Sequence, residues 1–327
     1  GNAVTILPEM LYQQFGDEEA LPRQYESMKL FVEAEIRKMG KKNLWIGPSL
    51  GDWLAMGKGI AWQAMHNNPV SNAFIVHDLK VISETAERLG KKADADRYRR
   101  QLEATTKAYI EKFVSKKGIV AKDYQSAYIM ALKFVLPEGE LRELVKKNFA
   151  ANIRKNGLQT GFFATEHLLP LLVEAGETEL AYDILLQEGC PGWMYQIKCG
   201  ATTTWERWDA LKPDGTVNEE KMAGSGDNMV SFNHYAFGSV GEFYYQYILG
   251  IKPQKPGFAE LHFEPYPDRR LGGVSGSYLS RAGKIESSWK YEEDGCHISL
   301  NTPVKSEVVL PNGQRETVEE GTYQWLC

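Results

Sequence analysis

The sequence predicts a mainly α-helical protein in which part of a toroid or barrel of helical hairpins is followed by a small antiparallel β-domain. Apolar residues recur at helical spacing in paired segments up to residue 250. Four prolines between residues 253 and 267 then interrupt any helix, and short alternating apolar and polar runs follow. We therefore expect part of a helical domain over residues 1–250 and a β-domain over residues 251–327.

The helical part reads as consecutive helices joined by loops. The predicted helices cover residues 3–15, 21–40, 71–89, 94–118, 123–136, 138–156, 166–175, 177–187 and 228–249. The last of them is apolar on almost every side, so we expect it to be buried. Nine helices is an odd count for a closed ring of hairpins. This predicts that the N-terminal part of the same domain is missing from the sequence.

The β-domain is predicted from short runs of strand-forming residues. These runs cover residues 261–263, 278–279, 285–289, 297–300 and 308–310. Turn signals separate them, as in Glu293-Asp294-Gly295 and Asn312-Gly313. Loops between the helical hairpins are expected to gather on one face, where such loops commonly form a site.

Composition restricts the class of partner. The 327 residues include 38 basic and 43 acidic side chains without a long block of one sign, which argues against a nucleic-acid partner and against a membrane surface. Eight tryptophans and 16 tyrosines favour carbohydrate or another stacking ligand. No run of 18 apolar residues and no signal-peptide pattern occurs.

No metal or cofactor is predicted. The four cysteines form no CxxC pair and have no histidine at ligand spacing, so a structural zinc site is not expected. A glycine-rich phosphate loop is also missing. Cys190 and Cys199 are expected to be free thiols, with a bridge possible in an oxidising compartment. The compartment stays open, with the periplasm or secretion favoured over the cytoplasm.

The stretch from Trp205 to Asp209 carries the strongest chemical signal. It places Glu206 and Arg207 between two tryptophans, after three threonines that suit an extended strand or a tight loop. A carboxylate between indoles fits a sugar site, where aromatic faces stack on the ring and the acid performs acid–base work. The alternative is that the indoles are core and Glu206–Arg207 is a surface pair. Glu206 can act as a general base only if Arg207 points away from it.

Two further pairs join this stretch as candidates. Asp52-Trp53 is interpreted as a carboxylate that grips hydroxyls beside an indole that stacks, or else as a helix cap beside a core indole. Asn233-His234 is interpreted as a sugar-hydroxyl contact, or else as a hydrogen-bonded core histidine. A toroid would bring all three constellations to one end. Trp205 is included with them as a wall of the sugar pocket.

Several motifs resemble, in order and spacing, the C-terminal half of the bacterial α-L-rhamnosidases of glycoside hydrolase family 78. The resemblance covers nearly the whole chain. Its central motifs are Trp-Glu-Arg-Trp-Asp at 205–209 and Ser-Phe-Asn-His-Tyr-Ala-Phe-Gly-Ser-Val at 231–240. The others are Leu7-Pro8, Leu11-Tyr12, Gly16-Asp17, Gly51-Asp52-Trp53-Leu54, Thr160-Gly161-Phe162, Gly200-Ala201-Thr202-Thr203, Gly250-Ile251 and Pro256-Gly257-Phe258.

The resemblance implies an (α/α)6 barrel, a C-terminal β-sandwich and inverting hydrolysis of terminal α-L-rhamnosides. It places the general base on Glu206, a sugar-contacting histidine on His234 and a stacking tryptophan on Trp53. The family's general acid belongs to a motif Asp-Glu-Arg-x-Gly-Trp-x-Gly-Asp, which this sequence does not contain. Asn2 and Glu9 also depart from the family pattern.

We therefore expect a chain that supplies the general-base half of the site and has little or no activity alone. Its expected partners are a rhamnose-containing oligosaccharide, polysaccharide or glycoside and the missing N-terminal part of its own chain. One alternative is another (α/α)6 glycosidase that acts on a different sugar. The other is a carbohydrate-binding protein without catalysis, which kept the aromatic pocket and lost the acid.

Overall fold

A computed structural model of the chain describes residues 2–57, 59–220 and 229–327. Two compact units are distinguished by their internal contacts: residues 29–240 form one, and the first 28 residues together with 241–327 form the other. Within the described residues, no helix combines the length and the apolar character that a membrane span requires. All four cysteines are free thiols.

The helices confirm the predicted hairpin pattern. Their bounds are α1 Ala3–Phe15, α2 Ala20–Met39, α3 Ile60–His66, α4 Asn68–Arg88, α5 Lys92–Phe113, α6 Gln125–Met130, α7 Glu140–Asn156, α8 Phe162–Glu174, α9 Thr178–Leu186, α10 Trp193–Lys198 and α11 Val240–Phe243. Segments Ala131–Val135 and Tyr244–Ile248 are π-helical, and Gly40–Lys42, Ala236–Ser239, Pro256–Phe258 and Arg269–Leu271 are 3-10 turns.

The structure differs from the predicted helices in several places. Helices α3 and α10 lie in segments that were predicted as loops, and α8 begins at Phe162 rather than at 166. The helix predicted over 228–249 is also wrong at its start, because residues 229–235 are not helical and the first 3-10 turn begins at Ala236. Residue 228 lies outside the described part. Asn233 and His234 therefore belong to a loop that precedes this helix.

The helical unit is built from helices that bury a continuous apolar face. Helix α4 is buried along most of its length, and α5 packs beside it with Ala95, Tyr98 and Tyr109 buried. A short turn joins the two, with Gly90 at φ 71°, a conformation that side chains disfavour. This αα-hairpin illustrates the repeating element of the unit.

The second unit contains the predicted β-domain. Its strands are β1 Ile251–Pro253, β2 Leu261–Phe263, β3 Gly273–Ser280, β4 Gly283–Glu292, β5 Gly295–Thr302, β6 Ser306–Val309, β7 Arg315–Val318 and β8 Gly321–Leu326. They form two four-stranded sheets, in the orders β1-β2-β6-β7 and β3-β4-β5-β8. All neighbours are antiparallel except β2 and β6.

Alternation along β4 and β5 creates the interior of this unit. Ile285, Ser287 and Trp289 of β4 and Ile298 and Leu300 of β5 are buried, while the residues that alternate with them are less buried. The Trp289 indole donates a 2.7 Å hydrogen bond to the carbonyl of Ile248, so the buried ring leaves no unpaired polar atom.

Glu264 is expected to stabilise this unit in a pH-dependent way. The pKa of Glu264 is lowered to about 2. The main cause is a hydrogen bond with His262 at 3.2 Å, and the charge of Lys252, at 3.3 Å, acts in the same direction. A carboxylate whose pKa falls on folding stabilises the folded state above its ordinary pKa, and the contribution is lost as the pH falls towards 2. Glu264→Gln should therefore lower the free energy of unfolding by about 2 kcal/mol at pH 7.

Urea denaturation between pH 7 and pH 3 measures this difference, which should shrink steadily in acid. The matched control is Glu293→Gln, which changes an exposed carboxylate of the same unit and should leave stability nearly unchanged at every pH. A loss for Glu264→Gln that does not depend on pH would contradict the electrostatic explanation.

Candidate active site

Trp205 lies in the core of the helical unit. Its indole is buried and packs edge-on against Phe232 at 5.2 Å and Tyr195 at 6.3 Å between ring centroids. Its backbone N–H donates to Oε1 of Gln196 at 3.1 Å. The prediction that Trp205 forms a wall of the sugar pocket is therefore wrong, since the ring has no face left for a ligand.

Trp208 is also a core residue. Its indole stacks on Phe237 with 3.8 Å between centroids, meets Trp193 edge-on and donates to the carbonyl of Thr160 at 2.9 Å. Both tryptophans of the motif are thus core residues, which was the alternative to a sugar site. Their burial fixes the backbone of the residues between them, Glu206 and Arg207.

Arg207 turns away from Glu206. Its guanidinium is buried, with Nε donating to Asp209 at 2.9 Å and Nη1 lying 2.8 Å from Oε2 of Glu220. Burial acts to lower the pKa of Arg207, but the hydrogen bond and charge of Asp209, joined by those of Glu220, outweigh it and raise the pKa. Asp209 is held in turn by the Asn218 amide at 2.8 Å. The cation is thus paired with two other carboxylates, and the contact of Nη1 with Glu220 is an ion pair without hydrogen-bond geometry.

Glu206 is left without a side-chain partner among the residues that the structure describes. The residue is half-buried, and its backbone N–H donates to the carbonyl of Ser231 at 2.9 Å. The condition set by the sequence is met, because Arg207 does not neutralise this carboxylate. A half-buried, unpaired carboxylate can accept a proton.

The segment of Glu206 is tied to the segment of His234. The backbone N–H of His234 donates to the Thr204 carbonyl at 2.8 Å, and the Thr204 hydroxyl donates back to the His234 carbonyl at 2.6 Å. Thr203 makes a further bond, from its hydroxyl to the Phe232 carbonyl at 2.6 Å. Residues 203–206 and 231–234 therefore lie side by side, which brings together two of the three predicted constellations.

His234 is held in one tautomer by its own chain. Nδ1 accepts the N–H of Ala236 at 3.2 Å, so the neutral ring carries its proton on Nε2. The half-buried ring packs between Phe162 and Tyr235, with centroid distances of 4.8 and 4.9 Å. Nε2–H is available as a donor to a hydroxyl.

Asn233 is exposed beside His234. Its backbone N–H donates to the Ser231 hydroxyl at 3.2 Å, in a tight turn that directs the loop. The amide side chain has no partner among the described residues. It can therefore supply both a donor and an acceptor to a ligand.

Asp52 has a structural role instead of the predicted sugar contact. Its fully buried carboxylate accepts backbone N–H groups from Gly161 and Phe163 at 2.8 Å and from Ala164 at 3.0 Å. Burial raises the pKa of Asp52, and these donors act in the opposite direction. The side chain caps the first turn of α8 from a distant loop. The prediction that Asp52 grips sugar hydroxyls is wrong, because both oxygens are used and inaccessible.

Trp53 is half-exposed next to this cap. Its carbonyl accepts the N–H of Phe162 at 3.0 Å. A Cβ at Gly161 would lie 2.2 Å from the same carbonyl, so only glycine permits this approach. The third predicted constellation is thus joined to the other two through Phe162, whose ring contacts His234.

Sequence reasoning did not assign a role to Phe162, Asp209 or Glu220. Phe162 could have been found from the sequence, because it follows the glycine of the Thr160-Gly161-Phe162 motif. The sequence does not identify Asp209 and Glu220 as the partners of Arg207, because they come together only when the loop folds back on itself.

Among the described residues, those of the candidate active site form no group of ligands that could share an ion. In the described part of the chain, one group of potential ligands comes close enough to share an ion, formed by Glu292, Asp294 and His297. All three are on the surface of the β-domain, and His297 already bonds Asp294 at 2.8 Å.

Family models match both parts of the chain. Residues 1–248 match the bacterial alpha-L-rhamnosidase 6 hairpin glycosidase domain, and residues 250–324 match the bacterial alpha-L-rhamnosidase C-terminal domain. An alpha-L-rhamnosidase of Alteromonas sp. (strain LOR) is 35% identical over 322 residues, which cover 95% of this chain and 34% of that protein. One of Streptomyces avermitilis is 32% identical over 332 residues, covering 99% of this chain and 30% of that protein.

Solved structures give the same result. The S. avermitilis alpha-L-rhamnosidase complexed with L-rhamnose matches with a TM-score of 0.89 at 29% identity, covering 99% of this chain and 32% of that one. The native enzyme of Aspergillus terreus matches with a TM-score of 0.90 at 29% identity, covering 99% and 38%. The chain spans about a third of the length of the curated relatives it matches. On its helical hairpins and β-domain alike, the chain belongs to the bacterial α-L-rhamnosidase family of glycoside hydrolases, whose members share the (α/α)6 fold.

Proposed function

We propose that this chain supplies the general-base half of an inverting α-L-rhamnosidase site. The observation that carries the proposal is the unpaired Glu206 carboxylate, beside an arginine that is bound to Asp209 and Glu220. In this mechanism Glu206 takes a proton from a water molecule, whose oxygen attacks the anomeric carbon of a terminal α-L-rhamnose. The glycosidic bond breaks on the opposite face, and an acid that lies outside these residues protonates the leaving oxygen.

The neighbouring side chains would hold the rhamnose. Nε2–H of His234 is oriented by the bond that Nδ1 accepts, so it can donate to a sugar hydroxyl. The exposed Asn233 amide can bond a second hydroxyl, and the half-exposed Trp53 indole can stack on the apolar side of the ring. The substrate class is a rhamnose-terminated oligosaccharide, polysaccharide or glycoside.

The chain alone should be a poor catalyst, because the acid motif of the family is missing from its 327 residues. An assay with p-nitrophenyl α-L-rhamnoside should therefore give a rate close to that of buffer. A polypeptide that joins this chain to an acid-bearing segment should release L-rhamnose, and proton NMR of the fresh product should show the β-anomer first. Release of the α-anomer first would contradict the inverting role, and a preference for another nitrophenyl glycoside would contradict the substrate.

A further inference from the structure

The helical unit contains a concave surface formed by residues other than those of the candidate active site. It is a cleft of about 780 Å³ lined by the C-terminal end of α5, the loop that leads to α6 and the α3–α4 region. We call it the Trp62 cleft and define it by Trp62, Met65, Lys112, Lys122, Tyr124 and Gln159. Its volume is typical of sites for small ligands.

An aromatic corner forms one wall of the Trp62 cleft. The Trp62 and Tyr124 rings meet nearly perpendicular at 5.2 Å, and the His66 ring stacks parallel to Trp62 at 4.5 Å. Tyr124 is fixed by a 3.0 Å hydrogen bond from its hydroxyl to Oδ1 of Asn67. Met65 extends the apolar surface and is 72% exposed. Rigid aromatic faces at an open cleft are suited to the apolar side of a sugar ring.

The lining of the cleft also includes a strained turn. Ala121, Lys122 and Asp123 have φ values of 44°, 58° and 71°, a left-handed run that non-glycine residues rarely adopt even singly. Asp123 is held from two sides, by the Tyr128 hydroxyl at 2.9 Å and the Asn152 amide at 3.0 Å. Strain that the surrounding structure maintains in this way is concentrated at ligand sites in proteins.

The Trp62 cleft lies close to the candidate active site within the same unit. Gln159 lines the cleft, and Phe162, which contacts the His234 ring, follows only three residues later. Three residues of extended chain span at most about 10 Å, so the Cα atoms of Gln159 and Phe162 lie within that distance of each other. A sugar chain that begins at His234 could therefore continue into the cleft.

Charges in the lining indicate a neutral ligand. Lys112 and Lys122 are balanced by Glu111 and Asp123. No single sign is in excess, so neither an anion nor a cation is favoured over an uncharged, hydroxyl-rich ring.

We infer that the Trp62 cleft binds a sugar ring of the leaving group, the part of the substrate that stays behind when rhamnose is released. The inference rests on the proposed function, because it takes the rhamnose position from Glu206 and His234. Trp62 is the stacking surface, and Tyr124 with the strained turn holds that surface in place.

The test is binding of two probes to the chain by calorimetry: L-rhamnose, and rutinose, a disaccharide of rhamnose and glucose. Trp62→Ala should weaken rutinose binding by about tenfold and leave L-rhamnose binding unchanged, because only the second ring is lost. Trp62→Phe should retain part of the affinity. Trp45→Ala is the matched control, since it removes another half-exposed tryptophan of the same segment that does not line the cleft.

Each other outcome decides against the inference. If Trp62→Ala leaves rutinose binding unchanged, or weakens both probes equally, the Trp62 cleft is not a leaving-group site. If the unmodified chain binds neither probe, the inference and the binding part of the proposed function both fail. If it binds rutinose through Trp62 but not L-rhamnose, the cleft stands and the placement of rhamnose at His234 fails. Thermal melting confirms that each variant is folded.

Discussion

Replacing Glu206 by glutamine is expected to lower rhamnoside hydrolysis by roughly 10²- to 10⁴-fold, the range for loss of a general acid or base. Glutamine has the shape of the native side chain but cannot accept a proton from water. The effect should fall on kcat, with KM nearly unchanged, because no sugar contact is removed. The measurement is the kinetics of the acid-bearing polypeptide described above.

Two controls make this result specific to the carboxylate. Glu219→Gln changes an exposed glutamate near Arg207's partner Glu220 and should retain full activity. Azide, a nucleophile that needs no deprotonation, should restore part of the turnover of Glu206→Ala. A Glu206→Gln variant with undiminished kcat, or an equal loss in Glu219→Gln, would rule out Glu206 as the base.

The Glu206 prediction depends on a feature that the sequence left undecided. Adjacent charges of opposite sign normally suggest a pair, and the motif allowed Arg207 to neutralise Glu206. Asp209 and Glu220 decide the matter, since both bind the guanidinium and leave Glu206 unpaired. Trp205 and Trp208, by contrast, are core residues, because aromatic partners from separate segments of the chain bury them. One motif thus combines a functional carboxylate with structural indoles.

The helical hairpins and the β-domain were predictable because their apolar periodicity is local. The errors occur where distant residues override local preference. Residues 229–235 are apolar enough to suggest a helix. The backbone groups of Ser231 and His234 instead form hydrogen bonds with the segment 203–206. Helix α8 begins earlier than its sequence suggests, because Asp52 caps it from more than 100 residues away. Neither contact leaves a pattern in the sequence.

That cap leads to the second large expected effect, a loss of stability in Asp52→Ala. Removing the carboxylate leaves the buried N–H groups of Gly161 and Ala164 and the partly buried N–H of Phe163 without an acceptor. Since each such group costs about 1 to 3 kcal/mol, the free energy of unfolding should fall by about 3 kcal/mol or more. Asp52→Asn should lose less, because the remaining oxygen can still accept from Phe163 and Ala164.

Urea denaturation followed by tryptophan fluorescence measures the loss, with Asp214→Ala as the matched control. Asp214 also accepts a backbone N–H, from Thr216 at 2.9 Å, but it is exposed, so its removal should cost less than about 1 kcal/mol. The comparison also separates the two interpretations of Asp52. A carboxylate that held sugar hydroxyls would affect rhamnose binding and leave stability intact, whereas a cap for α8 must destabilise the fold even in the absence of any sugar.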